Sequence, residues 1–326
     1  TDNMAIFIDS FKKNTPKDST SKPFALEASS VYINNLNFKL INENKKKPLV
    51  FSAIDVGGSL EQFSIIGTNV SLNARGLYFR ENRGLEVTNL TTDFTYSLKE
   101  MHFKNTRLQT KNSDVKGNVD FTYKRENLSD FNNKVHLEAD FSESTLSVKD
   151  LKKFYNELNG NNELNFTGKI YGTLNDFTVK SLRLNSTRGL KIFGDFSFMN
   201  ALNTEKGFVF DGNIKNLTTT YKELKNTLPR LLGKTLPSEF EKLGRFSLAG
   251  LIKVTPEQMD ATVSLQSEIG STVSDLQITN LENIDTAEYN GEIELNNFNI
   301  GTFLNNPLFG EVSLKGDVNG GGFTLD

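Results

Sequence analysis

The sequence predicts an all-β chain: an elongated, curled antiparallel sheet forming an open groove, with a few short helices in its second half. Three observations predict it. Hydrophobic residues are 37% of the 326 residues and fall in short alternating runs rather than long apolar blocks. Strands with one covered face have that pattern, and doubly covered parallel strands do not. Phe is abundant, at 26 residues, while Trp is absent. Finally, a glycine recurs at apolar parity. Leu164, Phe166, Gly168 and Ile170 share one face, as do Phe246, Leu248, Gly250 and Ile252, and again Leu314, Gly316 and Val318. Phe208, Phe210, Gly212 and Ile214 repeat the pattern, and so do Val115, Gly117, Val119 and Phe121. A glycine inside a strand marks a bend, a bulge or a close approach, whereas a packed core would favour bulk. The pattern therefore predicts a curved sheet of low bulk whose inner face holds a guest.

Along the chain, residues 10–23 read as a polar loop. Strand-like runs follow at Val31–Leu40, Leu49–Val56, Phe63–Ile66, Gly76–Phe79, Leu85–Leu90, Phe94–Leu98, Met101–Leu108 and Val115–Tyr123. Gly, Asn, Asp and Lys punctuate them as turns. Asn42–Pro48 reads as a hairpin tip with solvated lysines. In the second half, Ser147-Val148-Lys149-Asp150 has a capping-box pattern and opens a helix carrying Leu151, Phe154, Tyr155 and Leu158, stopped at Asn159-Gly160. Thr220–Glu223 opens a second helix that Pro229 bends or breaks, and Ser238–Glu241 opens a third, closed by Gly244. Each apolar stripe reads as a helix lying on a sheet.

The helices sit in a repeated context. Val135–Phe141, a helix, then Leu164–Tyr171 form one unit; Phe208–Ile214, helices, then Phe246–Val254 form another. Ile293–Phe298, a helical turn near Ile300–Leu304, then Val312–Val318 form a third. The closing glycines 168, 250 and 316 are unequally spaced, so a supersecondary unit is reused with variable insertions rather than at a fixed period. This gives a β-rich groove segment over 1–130 and a groove segment with helical insertions over 131–326, both within one continuous elongated domain.

A net charge of −3 with interspersed signs argues against nucleic acid as a partner. The chain has no cysteine, which removes disulfides and thiolate metal sites. No stretch approaches a membrane span and no signal peptide opens the chain. Thr1-Asp2-Asn3 and Phe323-Thr324-Leu325-Asp326 read as cut ends of a longer protein, so an anchor is expected outside this segment.

The residues form no catalytic constellation. His102 lies between Met101 and Phe103, and His136 shares a polar face with Glu138 and Asp140. Two isolated histidines without cysteine do not make a common zinc site. Asp317–Gly322 lacks the later ligands of a calcium loop. The expectation is a chain that is not an enzyme, with no metal and no cofactor.

Several segments carry a resemblance. Ala139–Ser147 with the helix after it and Phe166-Thr167-Gly168, then Phe298–Leu304 with Phe309–Gly316, and Ser113–Tyr123, resemble the TamB-type translocation and assembly module proteins of Bacteroidota. These are relatives of the AsmA-like, repeating-β-groove proteins. The resemblance spans most of the chain. It implies a periplasmic protein, anchored in the inner membrane when full length, that carries phospholipid acyl chains in an apolar trough to the outer membrane. It also implies an outer-membrane barrel partner of the TamA/BamA type. The lipid-facing residues are then Val119, Phe121, Phe166, Gly168, Ile170, Phe196, Phe210, Gly212, Phe246, Leu248, Gly250, Ile252, Leu314 and Gly316. Three other readings stay open: a closed sandwich or barrel packed on itself, a scaffold that pairs client strands at its edges during barrel assembly, and a surface adhesin or β-solenoid.

Overall fold

The computed structural model describes residues 23–41, 49–154, 160–227, 238–281 and 286–322. The readings placed on 10–22, 42–48, 155–159, 228–237 and 323–326 lie outside the described residues. The chain forms two compact units, one of residues 1–130 with 134–139, the other of 131–133 with 140–326. Sixteen strands run in chain order through one antiparallel sheet. The first unit holds β1 (Ala25–Ile41), β2 (Leu49–Ile66), β3 (Asn69–Glu81), β4 (Glu86–Tyr96), β5 (Glu100–Thr110) and β6 (Asp114–Thr122). β7 (His136–Ser147) passes from the first unit into the second. The second holds β8 (Glu163–Gly172), β9 (Phe177–Ser186), β10 (Lys191–Met199), β11 (Val209–Thr220) and β12 (Arg245–Val254). It continues with β13 (Gln258–Ser267), β14 (Gly270–Thr279), β15 (Glu288–Asn299) and β16 (Glu311–Gly321).

All-β class, antiparallel pairing, an open sheet and short helices are as the sequence predicts. The curl is not: the sheet is open and uncurled, and no strand bridges across it.

The first-half strands are longer than alternation suggests. Leu49–Val56 and Phe63–Ile66 belong to one strand, β2, and Leu85–Leu90 and Phe94–Leu98 to one strand, β4, apart from their end residues. Register shifts interrupt β2 near Asp55 and Gln62, whereas β4 keeps one parity from Leu90 to Phe94 and its two runs are parted by the polar residues Thr91-Thr92-Asp93. A bulge inserts one extra residue and flips the alternation, so a bulged strand reads as two.

Four of these bulges share a device. Asp55, Asn105, Ser181 and Asn297 have φ of 57°, 51°, 52° and 46°, the left-handed region that favours Asn and Asp among side-chain-bearing residues. Each donates its backbone N–H to a side chain on the neighbouring strand: Asn37 Oδ1 at 3.2 Å, Asn118 Oδ1 at 2.8 Å, Asp195 Oδ1 at 2.7 Å and Ser313 Oγ at 3.0 Å. The donor that the bulge removes from the ladder is thereby satisfied.

The described helices are brief: α1 (Phe131–Lys134), α2 (Val148–Leu151), α3 (Tyr221–Thr227) and α4 (Ile300–Leu304). Ser147 caps α2 as its sequence predicts, accepting from Lys149 N at 3.3 Å. Ser238–Leu243 is a 3-10 turn rather than an α-helix, and it ends at Gly244 with φ 63°. Together with α4 it covers one end of the second unit's apolar face. Leu243, Phe246, Leu265, Leu295 and Phe298 form the buried cluster beneath, with Phe240, Ile300 and Phe303 packed against it.

Candidate functional site

The candidate site is the apolar face of the second unit, which the pairing register lays out in rows across β8–β16. The first row runs Phe166, Leu184, Ile192, Leu217, Leu248, Leu265, Thr272, Leu295, Leu314. The second contains Leu182, Gly194, Ile214, Gly250, Val263, Ser274, Ile293 and Gly316, with Gly168 against Leu182 at its start. The third runs from Ile170 through Val179, Phe196, Gly212, Ile252, Ala261, Leu276 and Gly291 to Val318. The fourth is rich in Phe177, Phe198, Phe210, Met259, Ile278 and Tyr289. No charged side chain stands in these four rows.

All twelve expected residues of this unit lie on that face. Phe246 differs from the rest, because it is 4% exposed under Leu243 and Phe298 and belongs to the core rather than to an accessible surface. Val119 and Phe121 lie on the apolar face of the first unit, where Phe103 packs against both Phe94 (4.9 Å between ring centroids) and Phe121 (6.3 Å). Leu182, Leu184, Val263, Leu276 and Ile293 also lie on this face but are not among the expected residues, although alternation with Leu265, Ile278 and Leu295 marks the last three. On β9 the reason is the bulge at Ser181, which places Val179 and Leu182 three apart on one face.

The glycines of the second and third rows do different things. A Cβ on Gly250 would lie 2.2 Å from Thr262 O, at a φ of +144°, so this position requires glycine. Gly212 lies beneath Phe210 and Phe196: a Cβ there would approach the two rings to 2.9 and 3.5 Å. Gly316 has nothing within 4 Å of that position, and Gly168 only ordinary contacts. Room for a guest is therefore a property of the Gly316 end, while Gly250 and Gly212 are needed by the sheet itself.

The opposite face is polar and ion-paired. In the first unit Arg75 donates to Asp93 at 2.7 Å and Arg107 to Asp114 at 2.6 and 2.9 Å. Hydrogen bonds from Asn105 and then Arg75 hold Asp93 below the usual carboxylate range, and Arg107 does the same for Asp114. His102 Nδ1 lies 2.6 Å from Asp120, and Lys104 Nζ 2.7 Å from the other oxygen of that carboxylate. These residues line a shallow concavity of about 440 Å³ with Thr95, Thr122 and Glu138. His102 and Lys104 are both bonded to the Asp120 carboxylate. Among the described residues no group of three or more His, Cys, Asp or Glu is placed to hold a metal ion, and no helix is long and apolar enough to cross a membrane.

No protein-family profile, no curated protein and no solved structure matches this chain.

Proposed function

We propose that the chain is a lipid-conducting segment whose apolar face carries phospholipid acyl chains. The observation that carries the reading is the charge-free surface of four rows across β8–β16, of which only one end is covered by described helices. An acyl chain gains roughly 0.8 kcal/mol per fully buried methylene. An open, uncurled sheet covers only one side of the chain, so about half of that is available per methylene. Such shallow, repeated binding suits movement along a surface better than storage in a pocket. The reading places the protein in the periplasm, anchored to the inner membrane by parts outside this segment and working with an outer-membrane barrel of the TamA/BamA type. The resemblance to TamB-type proteins supports those placements.

A second reading, a scaffold for barrel assembly, has one observation in its favour. β1 and β16 each have a single neighbour in the sheet, and a strand with a free edge accepts another strand.

Transfer of a fluorescent phospholipid between donor and acceptor vesicles tests the first reading. Leu314, 45% exposed on the apolar face, tolerates replacement without opening a core. Leu314→Asp puts a charge in the acyl path and is expected to reduce transfer severalfold, while Asn319→Asp, on the opposite face of the same strand, leaves it unchanged. Equal transfer by both variants and the parent, or no lipid recovered from the purified protein, rules the conduit out and leaves the edge-strand scaffold.

A further inference from the structure

The segment between α4 and β16, Asn306-Pro307-Leu308-Phe309-Gly310, holds apolar side chains out in solvent. Leu308 is 88% exposed, more than any other large apolar side chain among the described residues, and its neighbour Phe309 is 53% exposed. Single exposed apolar residues are ordinary on a protein surface. These two are adjacent, follow an exposed Pro307, and belong to a segment without a charged residue. The segment is also firmly built. Asn306 N donates to Gly301 O at 2.9 Å, Leu308 N to Asn306 Oδ1 at 3.0 Å and Phe309 N to Asn306 O at 3.3 Å. Pro307 has no N–H to satisfy. A Cβ on Gly301 would collide with Phe309 O, so α4 and the segment pack backbone against backbone.

We propose that Leu308 and Phe309 form a wedge by which the chain enters the surface of a lipid bilayer. The proposal rests on the lipid-conducting reading above and adds the place where the membrane meets the protein. Two observations select a bilayer over a protein partner. First, every backbone N–H from Asn306 to Phe309 is bonded within the chain. A medium without water to hydrogen-bond demands that, whereas a strand docking by β-augmentation would use free backbone groups. Second, the segment leads straight into β16. There Val312 packs against the buried apolar cluster, and Leu314 stands exposed on the apolar face beside the open position at Gly316. The wedge thus adjoins the accessible end of the face, and an acyl chain leaving the bilayer there meets Leu314 and Gly316 first. Apolar groups at such an interface sit about 5–10 Å into the boundary between headgroups and acyl chains, a depth that suits two side chains on a short loop.

The probe is vesicles of neutral phosphatidylcholine, and the measurement is flotation of the full chain with them. Binding is expected, and because the wedge is uncharged it should be the same at about 0.05 and 0.5 M salt. Leu308→Asp and Phe309→Asp are each expected to weaken it about tenfold or more. Leu202 is half-exposed in the β10–β11 connection, at the opposite end of the strands, and Leu202→Asp leaves binding unchanged. Leu308 is too exposed for its replacement to open a core, so lost binding is not lost folding. The chain has no Trp, so Phe309→Trp places a single indole on the wedge. Its emission is expected to shift to the blue when vesicles are added, and to be quenched by lipids brominated near the start of the acyl chain. A chain that does not float, that floats only in low salt, that loses binding equally through Leu202→Asp, or whose indole emission does not shift overturns the wedge. The conduit fails separately. A chain that transfers lipid without floating overturns the wedge alone, and one that floats but carries no lipid supports the wedge and overturns the conduit alone.

Discussion

In the first unit a small-residue row of the apolar face is built from Ala74, Thr92, Thr106 and Gly117. In the second unit the corresponding small positions are Gly194, Gly250, Ser274 and Gly316. The first solution is polar and internally bonded. Thr92 is 3% exposed and shares a 2.7 Å hydrogen bond with Thr106. The second leaves space that neighbouring rings or backbone occupy, as at Gly212 and Gly250, or that stays open, as at Gly316. The units also differ around that row. Described helices pack on the apolar face of the second unit only. Opposite charges pair across adjacent strands in both units, as at Arg75–Asp93 and Lys104–Asp120 in the first and at Lys215–Asp195 and Lys315–Glu292 in the second.

The largest expected difference lies under the helices. Phe246→Ala empties a position in the second unit's buried cluster and is expected to cost about 3–5 kcal/mol. Phe121→Ala removes a half-buried ring from the first unit and is expected to cost about 1–2 kcal/mol, because less area is lost from burial. Urea unfolding followed by circular dichroism reads both. Equal costs would mean that the helical cover adds nothing to the second unit.

The glycines give the next contrast. Gly250→Ala forces a Cβ to within 2.2 Å of Thr262 O at a φ of +144°, and about 2–4 kcal/mol of destabilisation is expected from strain and clash together. Gly316→Ala meets nothing within 4 Å and is expected to be neutral, or stabilising by up to about 1 kcal/mol through a less flexible unfolded chain. The two glycines are indistinguishable by parity in the sequence. If both substitutions cost the same, the kink at Gly250 is not a requirement of the sheet.

Much of the fold was legible because alternation survives wherever strands are regular. β12 and β16 match their sequence readings to within a few residues, and the rows through Leu248, Gly250 and Ile252 follow directly. What was not legible follows from bulges. One inserted residue at Ser181 shifts the apolar parity of β9, and similar insertions interrupt β2. The signal is there for a reader who looks for it: Asn, Asp or Ser falls between two apolar residues three apart, as in Val179-Lys180-Ser181-Leu182. Parity placed every expected site residue on an apolar face, but it could not tell accessible Leu314 from buried Phe246. That difference comes from the Ser238–Leu243 turn and α4, which fold over one end of the face.

Smaller effects separate the rows and the bulges. Thr92→Val removes the Thr92–Thr106 bond and leaves the half-buried Thr106 hydroxyl without that partner, at a cost of about 1 kcal/mol. Ser274→Ala in the second unit is expected to cost less, because its hydroxyl reaches Val263 O at only 3.5 Å.

The last contrast is between two bulges that use the same device with different chemistry. In the second unit the acceptor for the Ser181 N–H is Asp195, and in the first unit the acceptor for the Asn105 N–H is the amide of Asn118. Asp195 is held below the usual carboxylate range, first by that backbone hydrogen bond and further by the positive charge of Lys215. A carboxyl with a depressed folded-state pKa adds stability that is present above its unfolded value, about 3.9, and is lost as the pH falls through the folded value. Asp195→Ala is expected to cost about 1 kcal/mol near neutral pH, and the cost should shrink as the solution is acidified below about pH 4. Asn118→Ala removes an acceptor that does not titrate, so its cost should stay flat across the same range. Asp195→Asn keeps an acceptor oxygen and drops the charge, and its stability should follow the flat profile. Urea midpoints measured from neutral pH to about pH 3 compare all three. A pH-independent cost for Asp195→Ala would show that its contribution is packing, and that the ionised carboxylate does not anchor the bulge.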